Sequence, residues 1–191
     1  MITHLNGRLV EKTPTKLTVE CAGVGYDVLI SLNTYSQIGS DEAIKIFTQF
    51  IVREDAQLLY GFHDIEERNM FNMLIGVSGI GPNTAILMLS SLNPAEIAQA
   101  ITTEDVNTIK SVKGIGLKTA QRVIVDLKDK MLKFEVSDNI VGNRDNTIRF
   151  DALTALISLG FDKKSAEKAL DKVYTEQASV EHLIKDALRV L

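Results

Sequence analysis

Leu74-Ile-Gly-Val-Ser-Gly-Ile-Gly-Pro-Asn-Thr-Ala85 and Ile109-Lys-Ser-Val-Lys-Gly-Ile-Gly-Leu-Lys-Thr-Ala120 are one segment written twice, with Gly79 and Gly114 in register. Each copy reads as a helix, a tight Gly-x-Gly hairpin and a second helix. The glycines permit backbone conformations closed to other residues, and the N–H groups that open the following helix lack intrahelical partners. Such amides favour an anion. The first predicted pocket comprises Gly79, Ile80, Gly81, Asn83 and Thr84. The second comprises Gly114, Ile115, Gly116 and Thr119, with Lys110, Lys113, Lys118 and Arg122 around it. Two such pockets fit consecutive phosphates of a nucleic-acid backbone.

The glycine motifs do not fit nucleotide-binding loops. A P-loop needs Gly, four residues and then Gly-Lys-Ser/Thr after a strand, whereas the preceding segment here is helical. The dinucleotide fingerprint needs a third glycine where Thr84 and Thr119 stand. No ATP site, cofactor site, catalytic nucleophile with a base, or paired carboxylates for acid–base chemistry are found; Glu66-Glu67 and Glu104-Asp105 read as helix-start residues.

The net charge of −4 argues at first sight against nucleic acid, but the total hides an asymmetry. Between positions 109 and 133, seven basic residues (Lys110, Lys113, Lys118, Arg122, Lys128, Lys130, Lys133) face only Asp126 and Asp129, a local +5. Alone, that run is a solvated helix face; coinciding with the second glycine hairpin, it reads as a phosphate grip. His4, His63 and His182 are scattered without ligand spacing, so no metal site is expected. The single cysteine, Cys21, falls in an apolar strand pattern and reads as packing. No apolar run approaches the roughly 20 residues of a membrane span, and Met1-Ile-Thr-His lacks the regions of a signal peptide, which together predict a cytoplasmic protein with no membrane partner.

Four regions follow one another along the 191 residues. Residues 1–63 read as short strands without helices, with Leu17–Cys21, Tyr26–Ile30 and Ile44–Val52 the clearest and Ala22-Gly-Val-Gly25 a turn, which suggests a small closed barrel. Residues 64–134 are helical and hold the repeat, with Asn93-Pro94 marking a helix start. Residues 135–147 are rich in turn-formers and read as a flexible linker; 148–191 give three amphipathic helices, one ending at Gly160 and two capped by Asp162 and Ser179. The tail's Leu156, Leu159, Phe161 and Leu188 are each candidates for core or for a docking patch.

This order, together with Val52-Arg-Glu-Asp-Ala-Gln-Leu-Leu-Tyr-Gly-Phe62, the opening Met1-Ile, Gly7 and the turn Gly23-Val-Gly-Tyr26, resembles the RuvA family of Holliday-junction-binding subunits over the whole chain. The resemblance implies an α+β multidomain fold: an OB-like β-barrel, a tandem helix–hairpin–helix domain and a C-terminal three-helix, UBA-like bundle. It also implies a homotetrameric, non-catalytic scaffold that holds a four-way DNA junction open. Glu54 and Asp55 match the family's acidic pin, although from the sequence alone they read as exposed turn charges. Leu156, Leu159, Phe161 and Leu188 match the face that docks the hexameric ATPase RuvB, with Phe161 where a tyrosine is also common. The RuvC resolvase is a further candidate partner, and one or two tetramers per junction both remain open. Two rivals stand beside this reading: a structure-specific nuclease or glycosylase using the hairpins as a grip, and a protein adaptor in which they are only tight turns.

Overall fold

The computed structural model describes residues 1–39, 41–139, 144–174 and 179–191, with 132–139, 144–147 and 150 described by their backbone alone. Five strands, β1 (His4–Lys12), β2 (Lys16–Cys21), β3 (Val24–Ile30), β4 (Ala43–Val52) and β5 (Gln57–Phe62), form a closed barrel in the order β1-β2-β3-β5-β4. Closure joins β4 to β1, with His4 opposite Phe47, while β5 enters parallel to β3, with Val28 opposite Leu59. This is the OB-like arrangement. Alternate residues point inward, so that Leu5, Leu17, Val19, Val28, Ile30, Ile46 and Leu59 make a single buried cluster. Between β2 and β3, Ala22 and Gly23 both have positive φ (50° and 84°), as a two-residue hairpin whose twist matches its strands requires.

β1, β5 and the short helix α1 (Leu32–Gln37) are additions to the three strands the sequence makes obvious. The pattern of β1 is obscured because Gly7 occupies a place where a Cβ would stand 2.1 Å from the Glu20 carbonyl oxygen, and because the register with β2 shifts between Leu9 and Glu11. β5 shows no alternation for a different reason: it is buried on both faces. Leu59 points into the barrel, whereas Tyr60 and Phe62 belong to the core of the helical region, stacked on Phe71 with ring centroids 5.1 and 5.0 Å away.

Phe71 lies on α2 (Ile65–Ile75), which Asp64 caps by accepting the Glu67 N–H at 2.7 Å. Sequence reading makes Glu67 a helix-start residue, and it does occupy the first turn, but its carboxylate is fully buried against the barrel. It accepts hydrogen bonds from the Ser31 and Thr34 hydroxyls, both at 2.5 Å. These hydroxyls in turn accept the N–H groups of Thr34 and His63 at 2.9 and 3.1 Å, so every polar group in the cluster has a partner. Arg68 donates to the Thr3 carbonyl at 3.2 Å alongside. Residues 1–132 consequently form one compact unit, and the switch from strand to helix at Asp64 falls inside it.

α3 (Pro82–Ser91), α4 (Pro94–Thr102), α5 (Val106–Ser111) and α6 (Leu117–Asn139) complete the helical region. Asn93 and Glu96 make a reciprocal capping box at α4, with Pro94 in the first turn. The expected linker 135–147 is helical at both ends: α6 continues to Asn139, α7 (Arg144–Ser158) begins at Arg144, and 140–143 lie outside the described residues. No glycine or proline interrupts 117–139, and extending a formed helix costs little per residue. The second compact unit, 133–191, holds α7, α8 (Lys163–Val173) and α9 (Val180–Val190). Asp162 and Ser179 cap α8 and α9, and Gly160 ends α7 with φ 99°.

Burial pushes the Glu67 carboxyl above its ordinary pKa, opposed by the hydrogen bonds from Ser31, Thr34 and Asn33. A carboxyl raised in the folded state contributes fully below its unfolded pKa and loses that contribution as pH rises through the folded one. Glu67→Gln, which carries no charge to bury, should therefore gain on the parent as pH rises above about 4.5, in urea unfolding at a series of pH values. Glu67→Ala should lose about 1–3 kcal/mol at every pH, because the two hydroxyls are stranded.

Candidate nucleic-acid interface

The two glycine hairpins superpose in role, position by position. Leu74 and Ile109, Val77 and Val112, Ile80 and Ile115, and Ala85 and Ala120 are all buried in one core, so each hairpin is anchored by the same four apolar positions. Gly79 and Gly114 have φ of 96° and 89°, conformations that a side chain disfavours. Gly81, by contrast, is extended (φ −86°, ψ 168°) and precedes the first residue of α3. Gly116 likewise lacks a positive φ, and the first ladder bonds, Ala85 N–H to Gly81 and Ala120 N–H to Gly116, are 2.9 Å each. The amides of Asn83 and Thr84, and of Leu117, Lys118 and Thr119, precede those bonds, at the positive ends of α3 and α6.

Ile80 and Ile115 require a correction. Their side chains are core, and their N–H groups are taken by the Val77 and Val112 carbonyls at 3.0 and 3.1 Å, so they shape the hairpins and have neither group left for a ligand. Arg122 also moves. It is exposed, but its Nη1 donates to the Ser78 hydroxyl at 3.2 Å and carbonyl at 3.4 Å, which places the guanidinium at the first hairpin rather than the second. Lys110, Lys113 and Lys118 are exposed and, among the described residues, outside any ion pair. Lys128, part of the same basic run, is neutralised by Glu104, whose carboxyl the pairing holds below its ordinary pKa.

In the first hairpin the Asn83 carbonyl oxygen accepts the Tyr60 hydroxyl at 3.0 Å, leaving the amide NH2 directed away from that bond. Ser78 was not singled out by the sequence, although it stands in register with Lys113 and so had a positional signal. Glu54 and Asp55 are exposed at the tip of the β4–β5 hairpin, whose four-residue loop is closed by Arg53 N–H on the Ala56 carbonyl at 2.8 Å. Within the tail, Leu159, Phe161 and Leu188 are 61%, 36% and 42% exposed. Leu156 is a second correction: it is fully buried in the bundle core, packed among Ala152, Ala166, Leu170 and Leu183, and cannot meet a partner. Ile157, Val190 and Leu191 add apolar exposure that the sequence reading passed over.

A closed OB-like barrel fused to a tandem helix–hairpin–helix, with exposed lysines beside the second hairpin, defines the class of DNA-binding proteins. Comparison with known proteins narrows the class. Residues 1–61 match the family profile described as RuvA N terminal domain, 71–129 the SAM-like helix-hairpin-helix tandem, and 148–191 the RuvA C-terminal domain. The chain is 50% identical over 193 residues to the Holliday junction branch migration complex subunit RuvA of Christiangramia forsetii, covering all of both chains. The proteins of the same name from Flavobacterium psychrophilum and Porphyromonas gingivalis are 49% and 50% identical, again over the full length of both chains. The chain belongs to the RuvA family.

The glycine pairs separate structure from access, and alanine substitutions should expose the difference. Gly79→Ala and Gly114→Ala should each cost about 1–2 kcal/mol, since both force a side chain into a left-handed conformation. Gly81→Ala and Gly116→Ala should cost less, about 0.5–1 kcal/mol for a poorer helix start. Thermal or urea unfolding of the four variants gives the ranking.

Proposed function

We propose that this protein binds four-way DNA junctions through the phosphates of their arms and works as the DNA-holding subunit of a branch-migration complex in recombination and repair. One observation supports this above the rest: at Gly81 and Gly116 nothing lies within 4 Å of where a Cβ would stand. Neither glycine is needed for a strained backbone or for packing. What their missing side chains leave is an open approach to the amides that start α3 and α6, which suits a phosphate backbone lying against the surface. The proposed contacts are the N–H groups of Asn83, Thr84, Lys118 and Thr119 with the side chains of Asn83, Lys110, Lys113, Lys118 and Arg122. Backbone contacts carry no base information, so sequence preference is low.

Junction preference then comes from shape and repulsion. Glu54 and Asp55, two carboxylates on an exposed hairpin tip, repel phosphates from wherever that tip lies, and in a fourfold assembly the tip would stand at the crossover. The names of the relatives support a role in branch migration, and the motor would be a separate ATPase, RuvB, met by the exposed Leu159, Phe161 and Leu188 of the tail. Residues 135–147 would connect that tail to the DNA-binding unit.

The test is a gel-shift titration of four-way junction and linear duplex across a salt series. Lys118→Ala should reduce the log–log salt slope by about 0.9 for the one phosphate contact it removes. Glu54→Gln with Asp55→Asn should instead tighten duplex binding and lower the junction-to-duplex ratio; an unchanged slope and ratio would show that these residues do not face DNA. For the tail, Leu159→Asp should abolish ATP-driven branch migration with RuvB while leaving junction affinity intact, provided circular dichroism shows a folded bundle. Migration at the parental rate would remove the tail from the coupling role.

A further inference from the structure

The two hairpins are built on the same core but are not equally equipped. In register, Lys113 and Lys118 of the second correspond to Ser78 and Asn83 of the first, and Leu117, which has an amide, corresponds to Pro82, which does not. The first hairpin thus has one fewer N–H and no cationic side chain of its own between Leu74 and Ala85. Yet a cation stands there. Arg122, carried on α6 after the second hairpin, crosses to the first and donates to both the hydroxyl and the carbonyl of Ser78.

The exchange is one-sided. The pair related to Arg122 and Ser78 by the repeat is Leu87 and Lys113, which have no complementary donor and acceptor side chains, so Lys113 stays with its own hairpin. We infer that Arg122 is the phosphate-binding cation of the first hairpin, lent across the repeat by the second, and that Ser78 is the residue that positions it there. A guanidinium carries five N–H donors, and those not directed at Ser78 can meet a phosphate oxygen. Arginine suits this double task better than lysine, because its planar fork can hold Ser78 along one edge and an anion along another. Loss of Arg122 would then affect the first hairpin's phosphates and spare those of the hairpin from which it comes in sequence.

This rests on the hairpins being the phosphate grip, and phosphate-ethylation interference on a synthetic four-way junction tests the two ideas separately. Asn83→Ala and Lys118→Ala in the full-length protein mark which phosphates each hairpin needs. Arg122→Ala should relieve interference at the phosphates marked by Asn83→Ala and leave those marked by Lys118→Ala unchanged, with circular dichroism confirming the fold. Placing a lysine on the first hairpin itself, Asn83→Lys in the Arg122→Ala background, should restore most of the lost affinity. Relief at the Lys118 phosphates, or failure of Asn83→Lys to rescue, would overturn the assignment. If neither marker variant shifts any phosphate, the hairpin reading itself falls and takes the assignment with it.

Discussion

The seam between β5 and α2 holds the larger unit together. Tyr60 and Phe62 have no exposed surface, and each lies about 5 Å from the Phe71 ring, while the residue between them in the chain faces the barrel interior. One strand therefore closes the barrel and supplies two aromatic residues to the helical core. At the margin of that seam, Glu67 fastens α2 to α1 through Ser31 and Thr34. A buried carboxylate is a costly way to join two elements, and it is tolerable here because hydroxyl donors meet both oxygens. It is also directional: it fixes an angle, which apolar contact alone does less well.

That angle relates the acidic tip of β4–β5 to the two hairpins, since all three belong to the same compact unit. A grip made of backbone amides, lysines and a shared arginine, as proposed above, would recognise any nucleic-acid backbone. Discrimination in such a system has to come from where the contacts are held relative to one another and to the repelling carboxylates. On the proposed reading, the seam that holds these elements in one compact unit would let a sequence-blind surface choose one DNA shape over another.

Much of this was legible in the chain. The duplicated glycine segment gave the hairpins because glycine placement and apolar spacing are local signals, and the caps at Asn93, Asp162 and Ser179 are local too. β5 was obscured by burial on both faces and β1 by Gly7 and a shifted register, both consequences of partners distant in sequence. Within the site, the exposed lysines followed from the sequence. The destination of Arg122 did not, because it depends on how the two halves of the repeat face each other, and neither did the burial of Leu156, which only the packing of three helices decides. Glu67 shows the limit most plainly: its place in the first turn was readable, whereas the hydroxyls that hold it come from more than 30 residues earlier.

The parallel pairing of β3 with β5 bears on how the protein is made. Val28 meets Leu59, and His4 meets Phe47, so the barrel closes through contacts separated by about 30 to 40 residues, whereas each hairpin joins helices adjacent in the chain. Distant pairings bear the entropy of loop closure before they return any stability, and folds that depend on them form slowly. The helices can condense early, but their core lacks Tyr60 and Phe62 until β5 has found its place. The surface proposed to meet DNA would then mature only after pairing of a strand that does not belong to it, and a mutation that delays barrel closure would lower the yield of competent protein without altering any residue proposed to touch DNA.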